Sequence, residues 1–310
     1  MRRQSTTALA QTAVAAVLWG TSFPVISIGI RAGLDPRAFA FLRFFLAAIP
    51  MLVVCRVYGR SVSGLLRSKA VWFIAFFNAT GFVCQFVGQE YTSASIASLL
   101  VNLSVVFAAA GGAAFLGEKM GAIKVSGVLA ALLGTGLLTT NGDLSSVSGG
   151  QLFGDALYIG AAVAWACYIV YAKKKTDETN WDPVAVSAAI VTATAVFILP
   201  VALTAQWGIP SSLLSWEAVA YTVVFNTAIA FTLYQAGLRY LTATSSAVVL
   251  MLEIVTAVAI STAFLGEVLS FDAWIGAALV LASVLLVSGL EVGGKRLSVA
   301  NDGGVRVRVP

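Results

Sequence analysis

Residues 242–267 read TATSSAVVLMLEIVTAVAISTAFLGE, and residues 92–118 read TSASIASLLVNLSVVFAAAGGAAFLGE. Both stretches are almost uncharged and both end on Phe-Leu-Gly-Glu, at Phe115–Glu118 and Phe264–Glu267. Some two dozen residues at about 1.5 Å each cross a bilayer core of about 30 Å, so each stretch reads as a membrane helix. The second carries Glu253 halfway along, where an ionisable group is costly and by default functional.

The rest of the chain extends the pattern. Hydrophobic residues fill 59% of 310 positions and charged ones 11%, with a mean hydropathy of +0.92, far from the balance of a globular domain. Apolar runs fall at 8–30, 36–56, 70–90, 93–116, 121–140, 152–172, 183–204, 216–238, 243–265 and 271–290. The expected fold class is an all-α polytopic membrane protein with ten transmembrane helices. With the N-terminus inside, all of the 19 basic residues except Arg31, Arg37 and Arg43 fall on cytoplasmic segments, and the positive-inside rule places both termini in the cytoplasm. The net charge of +5 is thereby a topology signal, and no nucleic-acid partner is expected. Histidine is absent, which excludes His bases, triads and metal ligands. Cys55, Cys84 and Cys167 lie inside spans without C-x-x-C spacing and read as packing residues.

The pattern starts again after the loop Asn141–Gly150. Trp165 echoes Trp19, Asp182-Pro183 echoes Asp35-Pro36, Phe225-Asn226 echoes Phe77-Asn78, and Phe-Leu-Gly-Glu recurs, in the same order and at nearly constant spacing. The expected organisation is a first five-helix repeat at 1–140, a connecting loop at 141–151, a second five-helix repeat at 152–290 and a disordered cytoplasmic tail at 291–310. Five is odd, so the second repeat enters the membrane from the opposite side. Inverted repeats of this kind build alternating-access carriers, with substrate held near the midplane at the repeat interface.

Helical spacing groups side chains into faces. They are Trp19, Ser22, Phe23 and Ile26 in span one; Asn78, Gly81, Phe82, Gln85 and Gln89 in span three; Ser95, Ser98 and Asn102 in span four; Trp165, Tyr168 and Ala172 in span six; Asn226, Leu233 and Tyr234 in span eight; and Ser246, Val249, Glu253 and Thr256 in span nine. Together they outline a pocket that is mostly apolar and aromatic with a few hydrogen-bonding groups, as small-molecule sites are. The expected substrate-binding residues are Trp19, Phe23, Asn78, Phe82, Gln85, Ser98, Asn102, Trp165, Tyr168, Asn226, Tyr234 and Glu253, with Trp19, Trp165, Asn78, Gln85, Asn226 and Glu253 bordering one cavity. The amide stripe of span three fits interhelical bonding equally well. Arg43 reads as a structural charge that snorkels or bonds helix-end carbonyls, ahead of the alternative of substrate contact. Glu253 keeps two readings: a site of proton coupling that binds a proton or an amine in alternation with substrate, or a protonated or Arg43-paired carboxyl that locks helix packing.

Leu18-Trp19-Gly20-Thr21-Ser22-Phe23, Arg43 after Asp35-Pro36, Trp165-Ala166-x-Tyr168 and the two Leu-Gly-Glu endings resemble the ten-helix drug/metabolite transporter superfamily. Within it the pattern is similar to the EamA-type exporters, the group that contains the aromatic amino acid exporters. The likeness runs to about residue 290. It implies two inverted five-helix bundles in the cell (inner) membrane and alternating access through a central cavity. The implied cargo is aromatic and other neutral amino acids or similar amphipathic metabolites. The small-molecule substrate and the lipid bilayer are the expected partners of a monomer that needs no cofactor or metal. Relatives commonly carry Leu-Glu-Pro where this chain has Leu252-Glu253-Ile254, and often a proline where it has Val105. Bends in spans four and nine therefore have less local cause here.

Other functions fit less well. A membrane-embedded enzyme would need paired carboxylates, a nucleophile with a base, or metal ligands, and the spans hold one deep carboxyl and no His. Sugar-phosphate carriage needs clustered basic residues, and the spans offer Arg43. Gly289–Lys295 has the spacing of a Walker A loop, but Arg296 stands where Ser or Thr must bind magnesium. A purely structural or receptor role leaves the matched Trp19 and Trp165 without a purpose. Efflux of cationic drugs through Glu253 and the aromatic faces is the competing carrier function.

Overall fold

Each Asp-Pro pair starts a helix by the same chemistry. The Asp35 carboxylate accepts from the backbone N–H of Arg37 (2.8 Å) and Ala38 (3.3 Å). Asp182 accepts from Val184 (3.1 Å) and Ala185 (3.0 Å). The proline takes the first helical position, where its missing N–H removes no bond. In this computed structural model the described residues are 2–88, 91, 100–143, 152–207, 212–265 and 268–302, without the side chains of 2, 23, 261, 264, 265 and 291–302.

Among these residues every regular element is helical: α1 (Arg2–Arg31), α2 (Pro36–Val57), the short α3 (Ser63–Leu66), α4 (Lys69–Gly88), α5 (Leu103–Leu116), α6 (Ala122–Thr139), α7 (Leu152–Glu178), α8 (Pro183–Ala202), α9 (Leu213–Tyr221), α10 (Ala230–Leu238), α11 (Ala243–Leu250), α12 (Leu252–Leu265) and α13 (Phe271–Asp302). Nine segments of the described residues are long and apolar enough to cross a membrane, with Leu213–Leu238 counted as one and Ala243–Ile260 as another. The chain is a multi-pass membrane protein. Leu103–Leu116 is a shorter apolar helix, and residues 92–99 of the expected fourth span lie outside the described residues. So do 144–151 of the expected connecting loop. The last helix continues to Asp302, so residues 291–302, expected as a disordered tail, are helical here; 303–310 lie outside the described residues.

Two spans break without a proline. Helix α11 ends at Leu250 and α12 begins at Leu252. Between them the Met251 N–H donates to the Val248 carbonyl (3.1 Å) and the Ile254 N–H to the Met251 carbonyl (3.2 Å), each three residues back. Ahead of α5 the Val105 N–H donates to the Asn102 carbonyl (3.1 Å), again three back. The reason at span nine is tertiary. A Cβ on Gly20 of α1 would stand 2.6 Å from Cβ of Thr256 and closer still to the Glu253 carbonyl, so the break lies where α1 and α12 touch backbone to backbone. Span eight changes its winding instead, to a π-helix over Thr222–Ile229.

The two halves of the chain interlock rather than sit side by side. Helices α4 and α5 pack on α7, as α9, α10 and α12 pack on α1, while α2 meets α8 and α6 meets α13. The α6–α13 crossing is tight, because a Cβ on Gly134 would lie 2.6 Å from the Gly276 carbonyl. Carboxylates clamp across the halves. Asp35 accepts from the Gln206 N–H (3.1 Å), Asp182 pairs with the Arg60 guanidinium, and Glu118 caps α11 by accepting from the Ala243 and Thr244 N–H groups and from the Thr244 hydroxyl (2.7 Å). Burial opposes ionisation of Asp182, but the Ala185 N–H, Arg60 and the Val184 N–H outweigh it and hold the carboxyl below its ordinary value.

Candidate functional site

The π-helical turn shapes the centre of the molecule. In it the Ala230 N–H bonds the Phe225 carbonyl, five residues back, so the Asn226 carbonyl loses its usual i+4 donor and turns to side chains. It accepts from the Trp19 indole N–H (2.8 Å) and from Nη2 of Arg43 (3.0 Å). Arg43 Nε donates to the Thr227 hydroxyl (2.9 Å), which itself donates to the Thr222 carbonyl (2.9 Å). The Asn226 amide donates to the Leu18 carbonyl and to the Thr21 hydroxyl (3.0 Å). One irregular turn of span eight therefore fixes a tryptophan of span one and an arginine of span two.

Aromatic rings continue from these anchors in an unbroken belt. Trp165 meets Phe82 edge-on at 5.5 Å, Phe82 meets Phe44 at 4.8 Å, Phe44 meets Phe231 at 5.9 Å and Phe231 meets Trp19 at 5.2 Å. Trp19 packs on Tyr234 at 5.5 Å, and Tyr234 stacks on Tyr168 at 6.0 Å, back on the helix that carries Trp165. Each such pair adds about 0.5–1.5 kcal/mol beyond burial, so the belt is a rigid frame.

Five of its rings, Trp19, Phe82, Trp165, Tyr168 and Phe231, line a cavity of about 670 Å³, within the range of small-molecule sites. At one end it reaches Arg31, Thr139 and Tyr158, and Arg31 is exposed. Tyr168 also lines it, and its hydroxyl accepts from the buried Gln235 amide (3.0 Å). The Glu118 clamp and the bond from Lys124 to the Thr242 hydroxyl (3.3 Å), outside the cavity lining, tie the helices together. Two charged side chains from the middle of the spans line the wall, Arg43 and Glu253. They act on each other through space, but among the described residues no ion pair joins them. No cluster of three or more His, Cys, Asp or Glu that could hold a metal occurs among the described residues either.

Trp19, Asn78, Phe82, Gln85, Asn102, Trp165, Tyr168 and Glu253 all line this cavity. Asn78 also donates to the Thr194 hydroxyl (3.1 Å), which ties α4 to α8. Asn226 and Tyr234 do not reach it. Both are completely buried behind Trp19, and Phe231 is the residue that span eight presents instead. In span nine the stripe of Ser246, Val249 and Thr256 also faces elsewhere, while Ala247, Leu250, Met251, Ile254 and Ala257 line the wall. The break at Met251 offsets the helical phase between its two segments. Ser95, Ser98 and Gln89 lie outside the described residues, as does the Phe23 side chain. Arg43 does not snorkel: it is 2% exposed and turned inward. Sequence reading passed over Phe86, Tyr158 and Phe231, whose signal was only their aromatic character at span ends or beside a π turn.

Residues 6–140 and 152–289 match the pattern of the EamA-like transporter family. A transporter of Archaeoglobus fulgidus is 29% identical over 289 residues, 90% of this chain and 96% of the relative. A protein of Streptantibioticus cattleyicolor named "Probable terminal-alkyne amino-acid exporter" is 25% identical, over 90% of this chain and 93% of that one. An inner membrane transporter of Escherichia coli is 26% identical over 88% of this chain and 87% of its own. A crystal structure shares the fold with a TM-score of 0.79 at 20% sequence identity, covering 94% of this chain and 99% of that chain.

Proposed function

Because the chain belongs to the EamA-like transporter family, we propose that it is a secondary transporter that exports neutral amino acids, aromatic ones foremost, by alternating access. It acts as a single chain in the inner membrane. The observation that carries this reading is the aromatic belt lining a cavity of about 670 Å³ built from both halves of the chain, a space that fits a side chain the size of an indole. The name of the Streptantibioticus relative supports the same substrate class.

The exchange of packing partners between halves supports ten spans in two inverted repeats. The cavity reaches Arg31, one of the few basic residues on the expected outer side, and its lining holds neither Glu118 nor Lys124 of the end where basic residues collect. On this reading the structure is the outward-facing state. Glu253 binds the substrate's ammonium and a proton in alternation, so that a proton gradient drives export.

The test is uptake of radiolabelled phenylalanine into proteoliposomes with and without a pH gradient, for the native protein and Glu253→Gln. Saturable uptake that the gradient accelerates, with the acceleration lost in Glu253→Gln, is the expected result. Equal rates in both proteins at any pH gradient reduce the chain to a facilitator. Uptake of a lipophilic cation such as tetraphenylphosphonium, with no amino acid carried, replaces this reading with drug efflux.

A further inference from the structure

We propose that Arg43 is the carboxylate anchor of the cavity, so that Arg43 and Glu253 together select zwitterions. This rests on the amino-acid reading above and names the contact that reading lacks. Arg43 lines the cavity although it is only 2% exposed. Its hydrogen-bond acceptors are both neutral, the Thr227 hydroxyl and the Asn226 carbonyl, and among the described residues no carboxylate lies within 4.0 Å of it. A buried charge with no counter-ion in contact is a costly arrangement, and a bound carboxylate would supply the missing contact.

The geometry points to the same partner. The bonds to span eight use Nε and one proton of Nη2, which fix the guanidinium plane, while Nη1 carries no hydrogen bond among the described residues. A fixed guanidinium edge with spare donors takes a carboxylate through two parallel bonds. The rings of Phe82 and Phe44, 5.3 and 5.6 Å from the guanidinium carbon, pack against the cation.

The second charge decides the substrate class. Glu253 shares the wall but stands outside ion-pair distance of Arg43, so each charge can take a partner of its own. A plain cation is repelled by Arg43, a plain monocarboxylate by Glu253, and a phosphate dianion finds a single positive partner. An α-amino acid meets both charges, and its side chain lies against Trp19, Phe82 and Trp165.

The test compares phenylalanine with phenethylamine, which lacks the carboxylate, and 3-phenylpropionate, which lacks the amine, as competitors of phenylalanine uptake in proteoliposomes. Both analogues are expected to compete about tenfold or more weakly than phenylalanine. Arg43→Gln is expected to weaken phenylalanine about tenfold while leaving phenethylamine competition unchanged or stronger, and Arg43→Lys to keep part of the phenylalanine affinity. Equal competition by the analogues, which requires no variant, overturns the assignment. So does a parallel loss of phenylalanine and phenethylamine in Arg43→Gln, the mark of a packing role. If the native protein carries no amino acid, the function proposed above falls and this assignment with it. If it carries phenylalanine but the analogues compete equally, Arg43 alone is reassigned.

Discussion

A methyl group on Gly81 would lie 2.6 Å from Nε1 of Trp165 and 2.7 Å from Cε2, and that indole lines the cavity while Gly81 does not. Gly81→Val is therefore expected to drive Trp165 into the substrate space. The expected effect is about a tenfold loss of phenylalanine uptake and about 1–3 kcal/mol of stability, measured by proteoliposome uptake and thermal unfolding. The helical stripe of span three put Gly81 beside Phe82 and Gln85 from sequence alone. What it could not give was which members face the cavity and which face a neighbouring helix, because both surfaces of a buried span are apolar. Asn226 and Tyr234 failed for a different reason: a 3.6-residue period was carried across a turn that is wound as a π-helix. Arg43 bonds a carbonyl, as expected, but its acceptors, Asn226 and Thr227, lie far along the chain, where no local pattern reports them.

At the scale of the element, the breaks in spans four and nine make a sharp expectation about proline. Val105 and Ile254 each sit in the first turn of the segment that follows a break, bonded three residues back. Proline is tolerated in a first turn, and the cost is one weak hydrogen bond. Val105→Pro and Ile254→Pro are expected to lower stability by about 1 kcal/mol or less, against about 3 kcal/mol for proline in a helix interior. Thermal unfolding with Val191→Pro, inside α8, as the control makes the comparison. These breaks were not legible in the sequence, since their cause at span nine is the approach of Gly20 rather than a residue within the span. The helix starts were legible, because an Asp-Pro cap is local chemistry. That cap also carries a pH dependence. The folded-state value of Asp182 is depressed, so its contribution to stability is complete at neutral pH and is lost as pH falls below the ordinary 3.8 and through the folded value. Asp182→Asn keeps a capping side chain but no charge. It is expected to flatten the acid limb of a thermal-stability profile below about pH 4, and an unchanged slope would remove the Asp182 charge from the account.

For the molecule as a whole, the repeated Trp, Asp-Pro and Phe-Leu-Gly-Glu signals predict a chain built twice. The details of how the halves hold each other came only from the coordinates, because each clamp joins residues more than a hundred positions apart, as Glu118 joins Thr244. Separate chains of 1–143 and 152–310 are expected to restore saturable phenylalanine uptake when produced together. Each alone is expected to give no monodisperse species in size-exclusion chromatography. Recovery of a stable, monodisperse first half would show that the cross-clamps contribute little.

The clamps of Asp35 and Glu118 also set a schedule for biogenesis. Both carboxylates leave the ribosome long before Gln206, Ala243 and Thr244 exist, and Trp19 and Arg43 wait in the same way for the turn at Asn226. The first half is inserted with its polar groups unanswered, and the translocon or the lipid headgroups must shelter them until the second half arrives. Translational pausing after residue 143 should therefore be more damaging to this protein than a pause of equal length near its end.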